Sequence, residues 1–248
     1  MKEDGTRSVH RAFDIMFLIA QEGQCGVTEI ARKLEINKTS VSKTLRSCED
    51  RGVIVQEPGT RRYQMGPRAY AWALAYRWQH PELRRAEAVV RRLRDKTQET
   101  VSLYVRSGLW RVCVYREESP RSLRRVIGLG SRFPLHLGAA GKVLIAWLPA
   151  KEQGSVLAAL ENEVLGDTPW MKDTLSAELA VIRKMGYAVS SGEREHGVTA
   201  IAVPILVDGA CVAALSCSGP ASRIAAHGID QLAAEIMATV AEWKETVR

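Results

Sequence analysis

The chain is 248 residues long, 46% apolar and 25% charged, with 35 Lys and Arg against 28 Asp and Glu for a formal net charge of +7. That apolar fraction excludes a low-complexity or disordered chain, and the length suits one or two ordinary domains with a sizeable core. The longest apolar runs, residues 70–76 and, across Pro204, residues 200–207, fall far short of the roughly 18 residues that a membrane span requires, so no membrane partner is expected.

Residues 1–9 are polar and mixed in charge, without the apolar stretch and small-residue cleavage site of a secretory signal. Cys25, Cys48, Cys113, Cys211 and Cys217 are odd in number, scattered, and form no Cys-x-x-Cys pair, which points to reduced thiols in a cytoplasmic protein. The basic excess is denser in the first third. Residues 1–80 carry 13 Lys and Arg against 9 Asp and Glu, and the remainder carries 22 against 19.

In chain order, Val9, Phe13, Met16 and Ala20 recur at helical spacing, with Ser8 as the expected N-cap and Gly23 just past the end. Val27, Ile30, Ala31 and Leu34 then form one stripe on a helix too short to stand alone. Asn37 caps a third helix whose Val41, Leu45 and Cys48 share a narrow sector. At about 100° per residue, Thr39, Lys43 and Arg46 project from the opposite face, with Ser40, Ser42 and Ser47 at its margins.

After Gly52, residues 53–55 and 63–65 predict two short strands around a Pro58-Gly59 turn with a basic tip at Arg61 and Arg62. Helix, short helix, turn, helix and basic hairpin is the order of a winged helix-turn-helix, whose third helix enters the major groove while the wing touches the flanking backbone. Taken alone, the outer helix face reads first as a solvated surface. With the helix order and the wing, it becomes a DNA-reading face: Lys43 and Arg46 for phosphates or guanine edges, Thr39 and Ser40 for backbone or thymine methyls, and Arg61 and Arg62 along the minor groove.

From Pro67 an Ala- and aromatic-rich linker helix runs to His80-Pro81, apolar in all directions and thus expected to be covered by a second subunit. Beyond it, a basic helix (residues 83–96) precedes strands near residues 101–106 and 110–115 joined at Ser107-Gly108. Helices fit residues 138–148, 151–160 and 174–185, and strands 200–207 and 211–218 flank Asp208-Gly209, a strong hairpin signal. A final amphipathic helix is expected over residues 224–246, with Ile229, Leu232, Ala233, Ile236 and Val240 on one side. The hairpins predict an α+β domain with an antiparallel sheet. The expected organisation is residues 1–66 as the DNA-binding domain, 67–81 as the linker helix, and 82–248 as a domain for effector binding and oligomerisation.

Several segments resemble one family in order and spacing: Val27-Thr28-Glu29-Ile30-Ala31, Asn37-Lys38-Thr39-Ser40-Val41, Asp50-Arg51-Gly52, Phe133-Pro134-Leu135-His136 with Gly141-Lys142, Gly186-Tyr187, Glu193 to Gly197, and Ala213 to Pro220. Together they resemble the IclR family of bacterial transcriptional regulators over nearly the whole chain. The resemblance implies a winged helix-turn-helix joined to a GAF-like domain that binds a small metabolite, often a carboxylate. It also implies a homodimer, or a dimer of dimers, on palindromic double-stranded DNA. It adds Thr28 and Lys38 to the candidate DNA contacts. It places the effector among the backbone amides of Ala139 and Ala140, the side chain of Ser190, Ala200 at the start of the following strand, and Ser216 with Ser218, with Phe133 and Val198 as apolar wall. Ser190 stands where an acidic residue can occur and Ala200 where Cys can. The chemistry fits, since unpaired N–H groups at a helix N-terminus can hold a carboxylate and two serines two apart on a strand share a face.

Other readings are weaker. Residues 137–142 are mis-spaced for a phosphate loop, and Val143 replaces the hydroxyl that would hold magnesium, so no nucleotide is expected and Lys142 is left as a surface charge or an ion pair. His136, His196 and His227 are not spaced as metal ligands; Glu193, Glu195 and His196 form the one conceivable zinc set, and no metal or cofactor is expected. A hydrolase using Cys217 or Ser216 with His136 lacks a nucleophile elbow, and a strand-borne Cys between apolar neighbours reads as packing. Ser216 and Ser218 can also be satisfied sheet-edge hydroxyls. The basic run 121–132 is a second nucleic-acid patch, an anion-attracting cleft rim or a solvated loop, the last favoured.

Overall fold

A computed structural model describes residues 3–162 and 172–246; residues 1–2, 163–171 and 247–248, including the ends of the expected first and last domains, lie outside the described residues. The chain divides into two compact units, Met1–His80 and Pro81–Arg248.

The first unit contains α1 (Glu3–Glu22), α2 (Val27–Lys33), α3 (Lys38–Glu49), β1 (Ile54–Gln56), β2 (Tyr63–Met65) and α4 (Arg68–Gln79). Its core is built from Ile15, Met16 and Ile19 of α1, Ile30 and Ala31 of α2, Val41 and Leu45 of α3, with Cys25, Val53 and Ile54. The α1 expectation is corrected twice. The helix begins near Glu3, so Ser8 is an internal residue and no cap. Its buried stripe is Ile15, Met16 and Ile19, while Val9, Phe13 and Ala20 are exposed, because neighbours rather than local spacing choose which of two apolar faces is covered. Asn37 caps α3 as expected, its Oδ1 accepting from the Ser40 N–H at 2.8 Å. The β1–β2 hairpin pairs Ile54 with Met65 and Gln56 with Tyr63, and Cys25 adds a backbone bridge to Tyr63 that the sequence does not announce.

The second unit has α5 (Pro81–Thr97), β3 (Thr100–Ser107), β4 (Trp110–Glu117), β5 (Arg132–Pro134), α6 (Ala139–Ala146), α7 (Ala150–Asn162), α8 (Lys172–Met185), β6 (Ala188–Ser191), β7 (Val198–Val207), β8 (Ala210–Pro220), α9 (Ala221–His227) and α10 (Ile229–Thr246). The strands form one antiparallel sheet in the order β5-β4-β3-β8-β7-β6. Strand alternation splits its side chains between two cores. Val101, Leu103, Ile201, Leu215 and Cys217 pack with α5, α9 and α10, and Tyr104, Cys113, Ala188, Ala202 and Ala214 pack with α6, α7 and α8. Asp208 and Gly209 join β7 to β8 with φ of 48° and 80°, as a two-residue loop with both residues left-handed demands.

The last helix is corrected: it is two helices broken at Gly228, whose φ of 88° no continuous helix accepts. Leu232, Ala233, Ile236 and Val240 are buried as expected, and so is Ile224 on the shorter piece, whereas Ile229 is not. No helix among the described residues is long and apolar enough to cross a membrane.

Candidate functional site

The first unit exposes the polar face of α3. Val41 and Leu45 are fully buried, which turns Lys38, Thr39, Ser42, Lys43 and Arg46 outward along one shallow groove that continues to Ser47 and Asp50. Ser40 is half-buried behind its N-cap bond, and Thr28 is exposed on α2. Lys38, Lys43 and Arg46 make no ion pair among the described residues, so their charges face outward uncompensated. Arg51 lies beside them, its Nη1 donating to the Ser47 carbonyl at 2.9 Å. The resemblance quoted Arg51 without giving it a role, and its place four residues past Ser47 was the available signal.

At the wing the two arginines part company. Arg61 is exposed in the turn, with φ of 54°. Arg62, expected beside it on DNA, is turned back. Its Nη2 donates to Glu29 Oε2 at 2.8 Å and to the Gln24 carbonyl at 2.7 Å, pinning the hairpin to α2. Desolvation acts to raise the Glu29 carboxyl, and the Arg62 hydrogen bond, with the Gly26 N–H and the nearby cations, outweighs it and holds the carboxyl below its ordinary range.

The second unit holds a cavity of about 50 Å³ against the α6 side of its sheet. Seven of the eight residues assigned to the effector, Ala139, Ala140, Ser190, Val198, Ala200, Ser216 and Ser218, line it. The register explains the convergence: Ser218 pairs with Ala200, and Ala200 with Ser190, in one cross-strand row. Phe133 is not in the lining. It stands behind it, with the Arg194 guanidinium 3.5 Å from its ring centroid. Because β8 is central in the sheet, Ser216 and Ser218 are not edge hydroxyls; both are buried, and Ser218 Oγ has no partner among the described residues.

Sequence reasoning missed Arg111 and Arg194 and favoured a solvated loop over a cleft rim for the run that holds Arg125. Arg111, Arg125, Arg194, Glu193 and Glu195 line the cavity together with Tyr104. Arg125 pairs with Glu195, so the run 121–132 is not simply a solvated loop: Arg125 and Ile127 belong to the cavity wall, while Arg124 pairs outside it with Glu118 at 2.9 Å. Glu193 accepts from Lys142 Nζ at 2.7 Å and from the Gly138 N–H at 2.7 Å. Lys142 is therefore no surface charge. It is 6% exposed and also donates to Glu178 of α8 at 2.7 Å.

Arg111 is 3% exposed, donates to the carbonyls of Pro134 (2.8 Å) and Leu137, and lies over Tyr104 and Phe133 at 5.5 Å from each ring centroid. Burial pulls its pKa down to about 10, which leaves it charged at neutral pH, and pushes the Tyr104 phenol up to about 12. Gly138 and Gly141 make the room. A Cβ at Gly138 would stand 2.9 Å from Arg111 Nη2, and one at Gly141 would stand 2.0 Å from the Leu135 carbonyl oxygen and 2.7 Å from Arg111 Nη1.

Cys217, the candidate nucleophile, faces the other core, away from the cavity that Ser216 lines. Its thiol is fully buried and pushed up to about 12 by desolvation. His136 is buried but is not in the cavity lining, and burial, aided by Arg111, lowers its pKa. Glu193 and Glu195 are held by cations, and no cluster of three His, Cys, Asp or Glu that could hold a metal occurs among the described residues.

A winged helix-turn-helix head with a separate cavity-bearing α+β unit is the build of a ligand-responsive transcriptional regulator. The family profile described as bacterial transcriptional regulator IclR C-terminal matches residues 79–243, and that of the MarR family matches residues 6–62. The chain belongs to the IclR family of bacterial transcriptional regulators. It is similar to the HTH-type transcriptional regulator BhcR of Paracoccus denitrificans, 31% identical over 222 residues that span 89% of this chain and 80% of that one. It is also similar to the crystal structure of an IclR transcriptional regulator from Alicyclobacillus acidocaldarius, with TM-score 0.75, 26% identity and coverage of 96% and 98%. The fold is shared with an IclR homolog from Microbacterium hydrocarbonoxydans complexed with 4-hydroxybenzoate, with TM-score 0.75, 18% identity and 95% of each chain covered.

Proposed function

We propose that this protein is a cytoplasmic, non-enzymatic regulator that binds a palindromic operator as a homodimer or dimer of dimers, and whose binding is modulated by a small organic acid held in the second unit. The observation that carries the reading is the outer face of α3: three cations without ion pairs, interleaved with small hydroxyls, on a helix fixed from behind by Val41 and Leu45. On DNA, Lys43 and Arg46 contact phosphates or guanine edges, Thr39, Ser40, Ser42, Lys38 and Thr28 contact the backbone or thymine methyls, and Arg61 follows the flanking groove. Arg62 acts indirectly, by holding the wing in place.

Self-association is supported by exposed aromatics in the first unit. Phe13 and Phe17 of α1 are 46% and 60% exposed, and Tyr70, Trp72 and Trp78 of α4 are 66%, 55% and 73% exposed. Such a patch on a single chain is what a partner surface leaves behind. A ligand shifts operator binding only if it favours one arrangement of the two reading heads over another.

The test is a mobility shift of the full chain on the DNA upstream of its own gene, with Lys43→Ala and Arg46→Ala. Weakening in both variants supports the assignment; unchanged affinity at moderate salt removes α3 as the reading element.

A further inference from the structure

Within the first unit, α4 is a nearly bare rod. None of its residues is buried, and Ala69, in its first turn, is the one that packs on the core of that unit among the described residues. Its direction is therefore set where it starts, at the junction with the end of α3. Pairing of β1 with β2 brings those two ends together, because β1 follows α3 and β2 precedes α4.

At that junction two glycines let backbone touch backbone. Gly52 has φ of 67°, and a Cβ on Gly66 would overlap the Gly52 carbonyl oxygen. The Gly66 N–H donates to the Val53 carbonyl at 2.7 Å, and the Arg68 N–H to the Gly52 carbonyl at 3.3 Å. The Arg68 side chain completes the joint. Its Cγ and Cδ lie over Gly52, 3.5 and 3.3 Å from where a Cβ would stand, and its Nη1 donates to the Arg51 carbonyl at 3.1 Å. Arg51 in turn donates from Nη1 to the Ser47 carbonyl at 2.9 Å and to Ser47 Oγ at 3.2 Å, in the last turn of α3. The two guanidinium groups thus sit on carbonyls at and just past the negative end of α3. An unbroken chain of contacts runs from the first turn of α4 to the helix that carries Lys43 and Arg46.

Length gives the joint its leverage. α4 has 12 residues and is about 18 Å long. A swing of about 10° at its base displaces its far end by about 3 Å, close to the base-pair step of about 3.4 Å, which is the translational part of a one-base-pair change in half-site spacing.

We propose that Arg68 is a positioning residue: by latching α4 to the end of α3, it fixes the angle between the linker helix and the reading helix, and with it the half-site spacing that the paired reading heads accept. The inference rests on the reading of the protein as a regulator with two such heads and adds the residue that sets their geometry.

The test is a mobility-shift series with the full chain on the DNA upstream of its own gene, after footprinting has located the half-sites, with one base pair inserted or removed between them. Arg68→Ala removes the side chain, Arg68→Met keeps the stem over Gly52 without the donor, and Arg68→Lys returns a donor. The wild type is expected to lose affinity by about 10-fold or more at each altered spacing, and Arg68→Ala and Arg68→Met should cut that preference to about 3-fold or less. Arg68→Lys should restore part of it. The slope of log affinity against log salt should stay at the wild-type value, because a positioning residue meets no phosphate. Both arginines are exposed, so the urea midpoint should barely move. A spacing preference left intact in Arg68→Ala and Arg68→Met overturns the proposal, as does a slope lower by about 0.9, the mark of a direct phosphate contact. Amide exchange on the free proteins keeps the readings apart. Faster exchange at Gly52, Val53, Gly66 and Arg68→Met itself is expected without DNA, and unchanged exchange at these positions overturns the latch. A wild type that fails on DNA, or protects a single half-site, while Arg68→Met still speeds that exchange counts against the regulator or paired-head reading alone.

Discussion

Replacing Gly141 by Ala should destabilise the second unit, although the same change is ordinarily stabilising inside a helix. Ala gains about 1 kcal/mol over Gly from helix propensity. Here the added Cβ would lie 2.0 Å from the Leu135 carbonyl oxygen and 2.8 Å from its carbon, so backbone has to move, and Arg111 Nη1 at 2.7 Å blocks a second direction. Overpacking of this kind costs about 1–3 kcal/mol, and more where the displaced atoms are backbone, so the net effect is a loss on the order of 1–2 kcal/mol. For a unit of this size that is roughly a 2–8 °C fall in Tm. Gly154 of α7 is the matched control, because a Cβ there meets nothing within 4 Å. Gly154→Ala should raise Tm by about 2–4 °C. Calorimetry of the two variants side by side decides the point, and equal shifts of the same sign would refute the close approach of α6 to the Leu135 carbonyl.

Four further outcomes are expected. Asn37→Ala removes the α3 cap and should cost the first unit about 1 kcal/mol, read by urea unfolding, with weaker operator binding. Native-state alkylation at pH 8 should spare Cys217, Cys113 and Cys211, whose thiols burial pushes up to about 12, 11 and 12, while half-exposed Cys48 reacts first; mass-spectrometric mapping reads the order, and early modification of Cys217 would contradict its burial. Burial and Arg111 hold the His136 imidazole below its ordinary value near 6.5, so the folded state binds fewer protons; the second unit should lose stability as pH falls below about 6.5, and His136→Gln should flatten that dependence in pH-dependent melts. Arg62→Met should weaken operator binding indirectly, through increased mobility of the hairpin, detectable as faster amide exchange in residues 56–63.

The sequence announced most of the elements because they rest on local rules. Asn37 sits just before a helix whose apolar stripe starts at Val41, and Asp208-Gly209 lies between two apolar runs, so the cap and the hairpin were both readable. The edge strands β5 and β6 were not, since they are too short for alternation to register and, unlike the equally short β1 and β2, are not joined to each other by a tight turn such as Pro58-Gly59. The α1 stripe was misjudged for a different reason: the helix has two apolar faces, and spacing alone does not say which one meets α2 and α3.

The candidate effector residues legible from resemblance are the uncharged ones, and all but Phe133 line one cavity. Its arginines were legible only in part, through the basic run that holds Arg125. Arg111 looks like any strand-borne arginine until β4 is laid against the α6 N-terminus, and Arg125 and Arg194 sit in loops where basic residues are ordinarily solvated. The fate of Arg62 shows the same limit, because only the fold brings Glu29 and the Gln24 carbonyl within its reach.

The salt dependence of operator affinity tests the central claim most directly. Removing one cation from a phosphate should lower the slope of log K against log salt by about 0.9. The wild type is therefore expected to show a steep slope, and Lys43→Ala and Arg46→Ala a slope shallower by about 1 wherever the deleted cation met a phosphate, with Arg92→Ala in the second unit leaving it unchanged. A slope and an affinity that are the same in the wild type, Lys43→Ala and Arg46→Ala would contradict the assignment of α3 as the element that meets DNA.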